Sequence, residues 1–240
     1  MLSINNIKFI KSLQQKKFRI ESGLFVVEGE KIVDEALNFV PEFIECVYHT
    51  SDYNIAPNER PQEIITNKEL SRISSLKNPN KCLALIQTGF RPKVSDKNIG
   101  TLILDGIQDP GNLGTIIRTA DWFGIKKIVC SEDTVDIFNP KVLQSTMGSI
   151  FHIQISYTNI LDYLSKANGN IYGAVLDGNS FNHVAFENDP IIVIGNESKG
   201  ISSEVKALLT HPITIEKIGQ AESLNAGIAT GIILSKWRMM

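Results

Sequence analysis

Asp109-Pro110-Gly111-Asn112 reads as a turn. The helical stripe that follows, Leu113, Ile116, Ile117 and Ala120, leaves one arginine, Arg118, off the apolar face. That side chain is a permanent cation with five N–H donors. A second stretch, Gly195-Asn196-Glu197-Ser198-Lys199-Gly200, puts an amide and a carboxylate on a tight turn between two glycines, directly after the apolar run IIVIG. In the third, Glu222-Ser223-Leu224-Asn225 opens a helix rich in small residues (Ala226, Gly227, Ala229, Gly231), where Ser223 and Asn225 offer donors to an anion or a ligand carboxylate. Each has an ordinary reading as well. Arg118 could pair on the surface with Asp121 or Glu132, Ser202 and Glu204 could make the second stretch a capping loop, and the small residues could serve tight helix packing. The spacing in Gly111-Asn112-Leu113-Gly114 is not that of a dinucleotide fingerprint, which sets aside a nicotinamide or flavin site.

These stretches need elements to hold them. From Thr101 onward apolar runs (TLILDG, KKIVCS, FHIQIS, IYGAVLD, PIIVIGN, HPITIE) alternate with helical patterns (NLGTIIRTADWFG, PKVLQSTMG, NILDYLSKA, SSEVKALL, AESLNAGIATGIILSKW). Such alternation predicts an α/β domain with a mostly parallel sheet covered on both faces, where ligands gather beyond the carboxyl ends of strands. All three chemistry-bearing stretches fall at strand exits. Ahead of them, a helix near residues 5–15 closed by KKFRIESG, strands at LFVVEG, FIECVYHT and CLALIQTG, and helices at EKIVDEALNFV and KELSRISSL describe a smaller α/β unit. The polar stretch FRPKVSDKNIG lacks periodicity. The expected division is therefore 1–92, a linker at 93–99, and 100–240.

Composition narrows the function classes. With 42% hydrophobic and 21% charged residues the 240-residue chain has the balance of a folded, water-soluble protein, and its apolar runs are too short to span a bilayer. The N-terminus lacks a secretory pattern, so a cytoplasmic protein without membrane attachment is expected. Cys46, Cys82 and Cys130 are odd in number and form no CxxC or Cys/His cluster, so neither a disulfide framework nor a metal site is expected. A net charge of −2 gives no global pull on polyanions, yet the first 20 residues carry Lys8, Lys11, Lys16, Lys17 and Arg19 and no acid. That cluster suits phosphate contact; it also fits a solvated basic helix end.

Taken together and in order, the three stretches resemble the SpoU-type (TrmH-like) RNA ribose 2′-O-methyltransferases of the SPOUT superfamily. The matches are Asn112, Gly114, Ile116 or Ile117, Arg118 and Thr119 in the first motif; Gly195, Asn196, Glu197, Gly200 and Ile201 in the second; and Ser223, Leu224, Asn225 and Ala229 in the third. FNPKVLQSTMGSIFHI looks like the family's linking segment, and KKFRIESGLFVVEGEKIVDEAL resembles its RNA-binding substrate domain. One departure is Ile213-Thr214-Ile215-Glu216-Lys217, where the family often has a proline.

The resemblance implies methyl transfer from S-adenosylmethionine to a ribose 2′-hydroxyl of ribosomal or transfer RNA, a trefoil-knotted catalytic domain, a homodimer and no metal. It implies a reactive site of Asn112, Arg118, Glu197, Ser223 and Asn225. The cofactor would be held by Leu176, Gly195, Asn196, Gly200, Ile215 and Leu224, and RNA by Lys16, Lys17, Arg19 and Arg118. Arginine is essentially never deprotonated in water, so Arg118 is expected to stabilise charge rather than act as a literal base. The competing expectation is a non-catalytic RNA-binding or ribosome-assembly protein on the same fold.

Overall fold

A computed structural model describes residues 1–55, 60–92 and 100–239, so the expected linker at 93–99 lies outside the described residues. The chain forms two compact units, Met1–Lys93 with Asp136–His152, and Val94–Val135 with Ile153–Met240.

The first unit begins with α1 (Ile4–Ser12), capped by the Ser3 side chain and burying Ile7 and Ile10. The lysine-rich stretch after it forms a helix of its own, α2 (Lys16–Ser22), stopped by Gly23 in a left-handed conformation that a residue with a Cβ rarely adopts. Next come β1 (Leu24–Glu28), α3 (Glu30–Phe39), β2 (Ile44–His49), β3 (Gln62–Ile64), α4 (Asn67–Ile73) and β4 (Cys82–Gln87). The short strand β3 had no period to betray it. The sheet order is β1-β4-β2-β3, with β1 and β2 antiparallel to β4 and β3 parallel to β2. Ile7, Ile10, Leu13, Leu70, Ile73 and Leu83 join the helices to the sheet in one apolar cluster.

At the start of α4, Thr66 and Glu69 form a reciprocal capping box. Glu69 accepts the Thr66 N–H at 2.9 Å, the Leu2 N–H at 2.8 Å and the Thr66 hydroxyl at 2.8 Å, which together lower its pKa from 4.5 to about 2. A carboxyl depressed on folding stabilises the fold fully above its unfolded value and loses that contribution as pH falls through the folded one. Glu69→Gln should therefore melt below the parent at neutral pH. The two melting temperatures should converge between pH 4.5 and about 2, as thermal unfolding followed across that range would read.

The second unit carries β5 (Thr101–Asp105), α5 (Pro110–Trp122), β6 (Lys127–Cys130), β7 (Gln154–Tyr157), α7 (Ile160–Ser165), β8 (Ile171–Ser180), β9 (Ile191–Gly195), α8 (Ser203–Lys206), β10 (His211–Thr214) and α9 (Ala226–Met239). Its six described strands are ordered β10-β8-β9-β5-β6-β7, and every adjacent pair is parallel. Ile103, Val129 and Val193 on neighbouring strands pack under Ile160, Leu164 and Val205, as a sheet with a covered face requires. On α5 and α9, Ile116, Ile117, Ile233 and Leu234 are fully enclosed, and the two helices pack on one another. Among the described residues no helix is long and apolar enough to cross a membrane.

Two local details differ from expectation. β8 runs past Asp177 to Ser180, and its register against β10 jumps so that Pro212 faces Gly173 while Ile213 faces Asn179. The Thr214 hydroxyl holds the intervening bulge by accepting from Gly178 N–H at 2.6 Å and donating to the Val175 carbonyl at 2.9 Å. Secondly, α9 starts at Ala226, leaving residues 222–225 outside it. Asn225 Oδ1 accepts the N–H groups of Gly227 and Ile228 and so caps the helix from just before its first turn.

Between β6 and β7 the chain passes through α6 (Pro140–Thr146), which packs on β1 in the first unit. Periodicity alone assigned residues 136–152 to the second domain. Their aromatic side chains decide otherwise: Phe138 and Phe151 close a ring cluster with Phe25 and Phe90.

Candidate active site

Three strand or loop exits of the second unit meet through polar side chains. Asp109 caps α5 by accepting the Asn112 N–H at 2.8 Å, and Pro110 follows at the helix's first position. This fixes Asn112 in the first turn, where its Nδ2 donates to Glu197 Oε1 at 2.8 Å. The same carboxylate accepts the backbone N–H groups of Asp109 at 3.2 Å and Gln108 at 3.3 Å. Asn225, from the segment before α9, donates its Nδ2 to Asn112 Oδ1 at 2.7 Å.

The charge on Glu197 orients the whole chain. A carboxylate can only accept, so the Asn112 NH₂ faces it and the Asn112 oxygen faces Asn225. Asn225 must then present its NH₂ to Asn112, which leaves its oxygen for the α9 N–H groups. Partial burial alone would raise the Glu197 pKa, but the hydrogen bonds from Asn112, from its own backbone and from Gln108 and Asp109 outweigh it and hold the group below its ordinary 4.5. Three donors engage Glu197, so its carboxylate holds the first-turn amide of α5 and the backbone before it in place.

Asn196, beside it, braces the loop from the other side. Its Nδ2 donates to the Gly106 carbonyl at 2.6 Å and its Oδ1 accepts Ser198 and Lys199 N–H groups. A bridge between Asn196 and Gly200 closes the turn. Gly200 is left-handed, and a Cβ on Gly195 would come closer than 3.0 Å to the backbone of Gly200 and Ile201. Gly195→Ala should therefore displace this turn and lower the melting temperature, as thermal unfolding would read.

Sequence reasoning missed the outer supports. Ser131, buried after β6, accepts the Gly106 N–H at 2.8 Å and donates to Asp133 at 2.5 Å, while Gln108 Nε2 donates to the Asp133 carbonyl at 2.5 Å. Asp105 accepts the Ser202 N–H at 2.7 Å and anchors the exit of the second loop. Their signal, polar residues immediately after apolar strands, is too common to single them out.

The remaining expected residues divide. Ser223 is exposed, with no hydrogen bond among the described residues. Leu176 on the β8 bulge is 78% exposed and Leu224 48%, while Ile215 is half-buried directly after β10. Arg118 is exposed on α5 and has no ion pair or hydrogen bond among the described residues. The surface pairing considered for it is absent with Asp121, which instead meets Lys126 at 3.7 Å. Nor does Arg118 join the Asn112–Glu197–Asn225 chain: it stands six residues, about 9 Å along the helix axis, beyond Asn112.

Arg19 is a correction. Expected on RNA, it is only 4% exposed and its guanidinium is engaged inside the first unit with Asp136 at 2.5 Å and with the Leu13 and Gln14 carbonyls, each at 2.9 Å. Lys16 and Lys17 remain on the surface. Burial raises the Cys130 thiol to about 12, so no thiolate is available there for nucleophilic chemistry. Among the described residues no cluster of three or more His, Cys, Asp or Glu side chains is arranged to hold a metal ion.

Comparison with known proteins matches this geometry to a family. The model of the SpoU rRNA Methylase family matches residues 100–235, and that of the MRM3-like substrate binding domain matches residues 5–84. The chain is 30% identical, over 95% of its length and 94% of the relative's, to the 23S rRNA (guanosine(2553)-2′-O)-methyltransferase RlmP of Bacillus subtilis. Among solved structures it resembles a protein from Porphyromonas gingivalis assigned to the TrmH family of RNA methyltransferases, with TM-score 0.88 and 36% identity over 100% of this chain and 99% of that one. It also resembles an AdoMet-bound rRNA methyltransferase from Sinorhizobium meliloti, with TM-score 0.85 and 30% identity over 100% and 97% of the two chains. With three polar loops joined at the carboxyl ends of a parallel sheet and a family model matching residues 100–235, more than half of the chain, the chain belongs to the SpoU rRNA methylase family.

Proposed function

We propose that this chain, acting as a cytoplasmic homodimer, transfers a methyl group from S-adenosylmethionine to a ribose 2′-hydroxyl of ribosomal or transfer RNA. The observation that carries the reading is the hydrogen-bonded chain Asn225–Asn112–Glu197, which assembles three distant loops into one polar site. The fit to the cofactor rests on what lies around that chain. Leu176 on the β8 bulge and Leu224 in the segment between β10 and α9 are uncovered apolar side chains suited to an adenine face, and position 195 at the start of the second loop has no room for a side chain. Backbone groups at Leu176, Gly195, Ile215 and Leu224, with Asn196 and Gly200 shaping the turn, would hold the nucleoside. Bound there, S-adenosylmethionine supplies an electrophilic methyl group on a sulfonium. The trefoil threading implied by the family belongs to the same reading.

The chain's own residues do the rest. Asn112 and Asn225, their amides fixed by Glu197, present a preorganised polar edge, and Ser223 adds an exposed hydroxyl. A ribose hydroxyl is a poor nucleophile until its proton is drawn away. Arg118 stabilises the developing charge on that oxygen and the adjacent phosphate, while the proton passes to phosphate or water. Since Arg118 stands about 9 Å along α5 from Asn112, it serves the site of a second copy in a two-fold dimer. The exposed Trp122, one turn beyond Arg118, and the exposed Ile228 on the neighbouring α9 form the apolar surface such a dimer would cover. Lys16 and Lys17 contact RNA.

Titration calorimetry with S-adenosylmethionine and mapping of 2′-O-methyl nucleotides in RNA from cells with and without the gene test this. Saturable cofactor binding and loss of one specific methylation are expected. A protein that binds RNA but no S-adenosylmethionine would be the non-catalytic alternative.

A further inference from the structure

We infer that the turn leaving β6, residues 131–135, is a fourth loop of the reactive site, in which Ser131 and Asp133 are positioning residues for methyl transfer. They act through the backbone of residues 106–109 on Glu197 and Asn112. The inference deepens the proposed function and rests on it in placing Glu197 and Asn112 at the reacting groups. The turn lies outside the three stretches that carry the family resemblance. β6 pairs with β5 in the sheet, so the two strands empty side by side. Backbone bonds join the exits: the Ser131 N–H donates to the Leu104 carbonyl and the Val135 N–H to the Ile107 carbonyl, each at 2.9 Å. Gly106 is then held on both sides. Its N–H donates to the Ser131 hydroxyl oxygen at 2.8 Å, and its carbonyl accepts Asn196 Nδ2 at 2.6 Å. With φ at 71° it is left-handed, and a Cβ there would stand 3.2 Å from Asp133 Oδ2. A carboxylate can only accept, so Asp133 takes the single Ser131 proton, at 2.5 Å. The serine lone pairs are thereby turned to Gly106 and to the Thr134 hydroxyl, 3.0 Å away.

Residues 106–109 are thus strung between two carboxylates. At one end Asp133 acts through Ser131, and its own carbonyl also accepts the Gln108 side chain at 2.5 Å. At the other, Glu197 accepts the N–H groups of Gln108 and Asp109. Asp109 caps α5 and so places Asn112. Releasing the segment at Gly106 therefore shifts both backbone donors to Glu197 and the Asn112 amide together. Asp133 is exposed, so its removal opens no cavity, whereas Ser131 is buried and its loss leaves the Gly106 N–H without an acceptor.

The experiment uses the full chain, tritiated S-adenosylmethionine and total RNA from cells lacking the gene. Ser131→Ala and Asp133→Ala should each lower kcat by about tenfold, with KM for both substrates within about twofold of the parent's. Ser131→Thr, which keeps the hydroxyl, should recover most of the rate. Glu132→Gln, at an exposed neighbour with no hydrogen bond among the described residues, should match the parent. Because the turn acts through Glu197, Asp133→Ala should cost much less in a Glu197→Gln background than in the parent. Parental kcat in Asp133→Ala, or losses that multiply in the double variant as those of independent sites do, would overturn the inference. Amide exchange followed by NMR gives a readout that needs no turnover: the Gln108 and Asp109 N–H groups should exchange faster in Asp133→Ala. Wild-type protein that transfers no methyl group would sink the methyltransferase reading, whereas unchanged exchange at those two amides would sink the role of the turn.

Discussion

Arg118→Ala should lower single-turnover methylation, at saturating RNA and S-adenosylmethionine, by at least about a hundredfold, the cost of removing one preorganised electrostatic contact from a transition state. Arg118 is exposed and has no partner among the described residues, so its loss should leave the melting temperature close to the parent's, as for other surface substitutions. Binding of both substrates should also persist. Arg118→Lys keeps the charge but loses the planar fork, and should recover only part of the rate. Near-normal turnover by the alanine variant, with RNA bound as before, would remove Arg118 from the mechanism. Placement on a two-fold partner adds a second readout. Equal mixing of Arg118→Ala with an inactive Glu197 variant should restore about a quarter of the parental sites, because half of the dimers are then mixed and each carries one intact combination. No recovery on mixing, under conditions where the subunits exchange, would place Arg118 and Glu197 in the same protomer's site.

Glu197→Gln should lower kcat/KM by about tenfold to a hundredfold, the scale of losing one or two hydrogen bonds to a charged acceptor. Three donors point at the carboxylate, from Asn112, Asp109 and Gln108. A glutamine offers one oxygen and turns an NH₂ toward the others. Either a backbone N–H is left without an acceptor or Asn112 reverses, and a reversed Asn112 presents its own NH₂ to that of Asn225. The damage therefore spreads to the third loop. The pH dependence carries a distinct sign. Because the folded-state pKa lies below the ordinary 4.5, the charged form persists as pH falls, and Glu197 should contribute no acid limb to the rate profile above that value. An acid limb near neutrality that disappears in the glutamine variant would show that Glu197 takes a proton, contrary to its full set of donors.

Much of the fold follows from short-range pattern. The alternating apolar runs from Thr101 onward become six parallel strands because each is buried against its neighbours, and Asp109-Pro110 starts α5 where turn and capping chemistry place it. Asn112, Glu197 and Asn225, picked out by family resemblance, are joined in space. Arg19 shows where such reading stops. In sequence it is one more cation in a basic cluster, and nothing local marks Asp136, 117 residues away, as its partner. The same holds for α6: its periodicity identifies a helix, while Phe138 and Phe151 assign the surrounding stretch to the first unit through rings at residues 25 and 90.

By itself the sequence determined most of the elements, the parallel class of the second unit's sheet and the residue types available for methyl transfer, because helix period, strand burial and turn chemistry are set by neighbours a few positions apart. Tertiary structure alone decided which polar groups are spent on holding the site and which remain for substrate. Hydrogen-bond satisfaction is decided by pairs such as Asn112 and Glu197, 85 residues apart, and a buried donor or acceptor takes whatever partner the fold brings to it. Glu197 and Arg19 are engaged in that way, and Arg118, Lys16 and Lys17 are left outward.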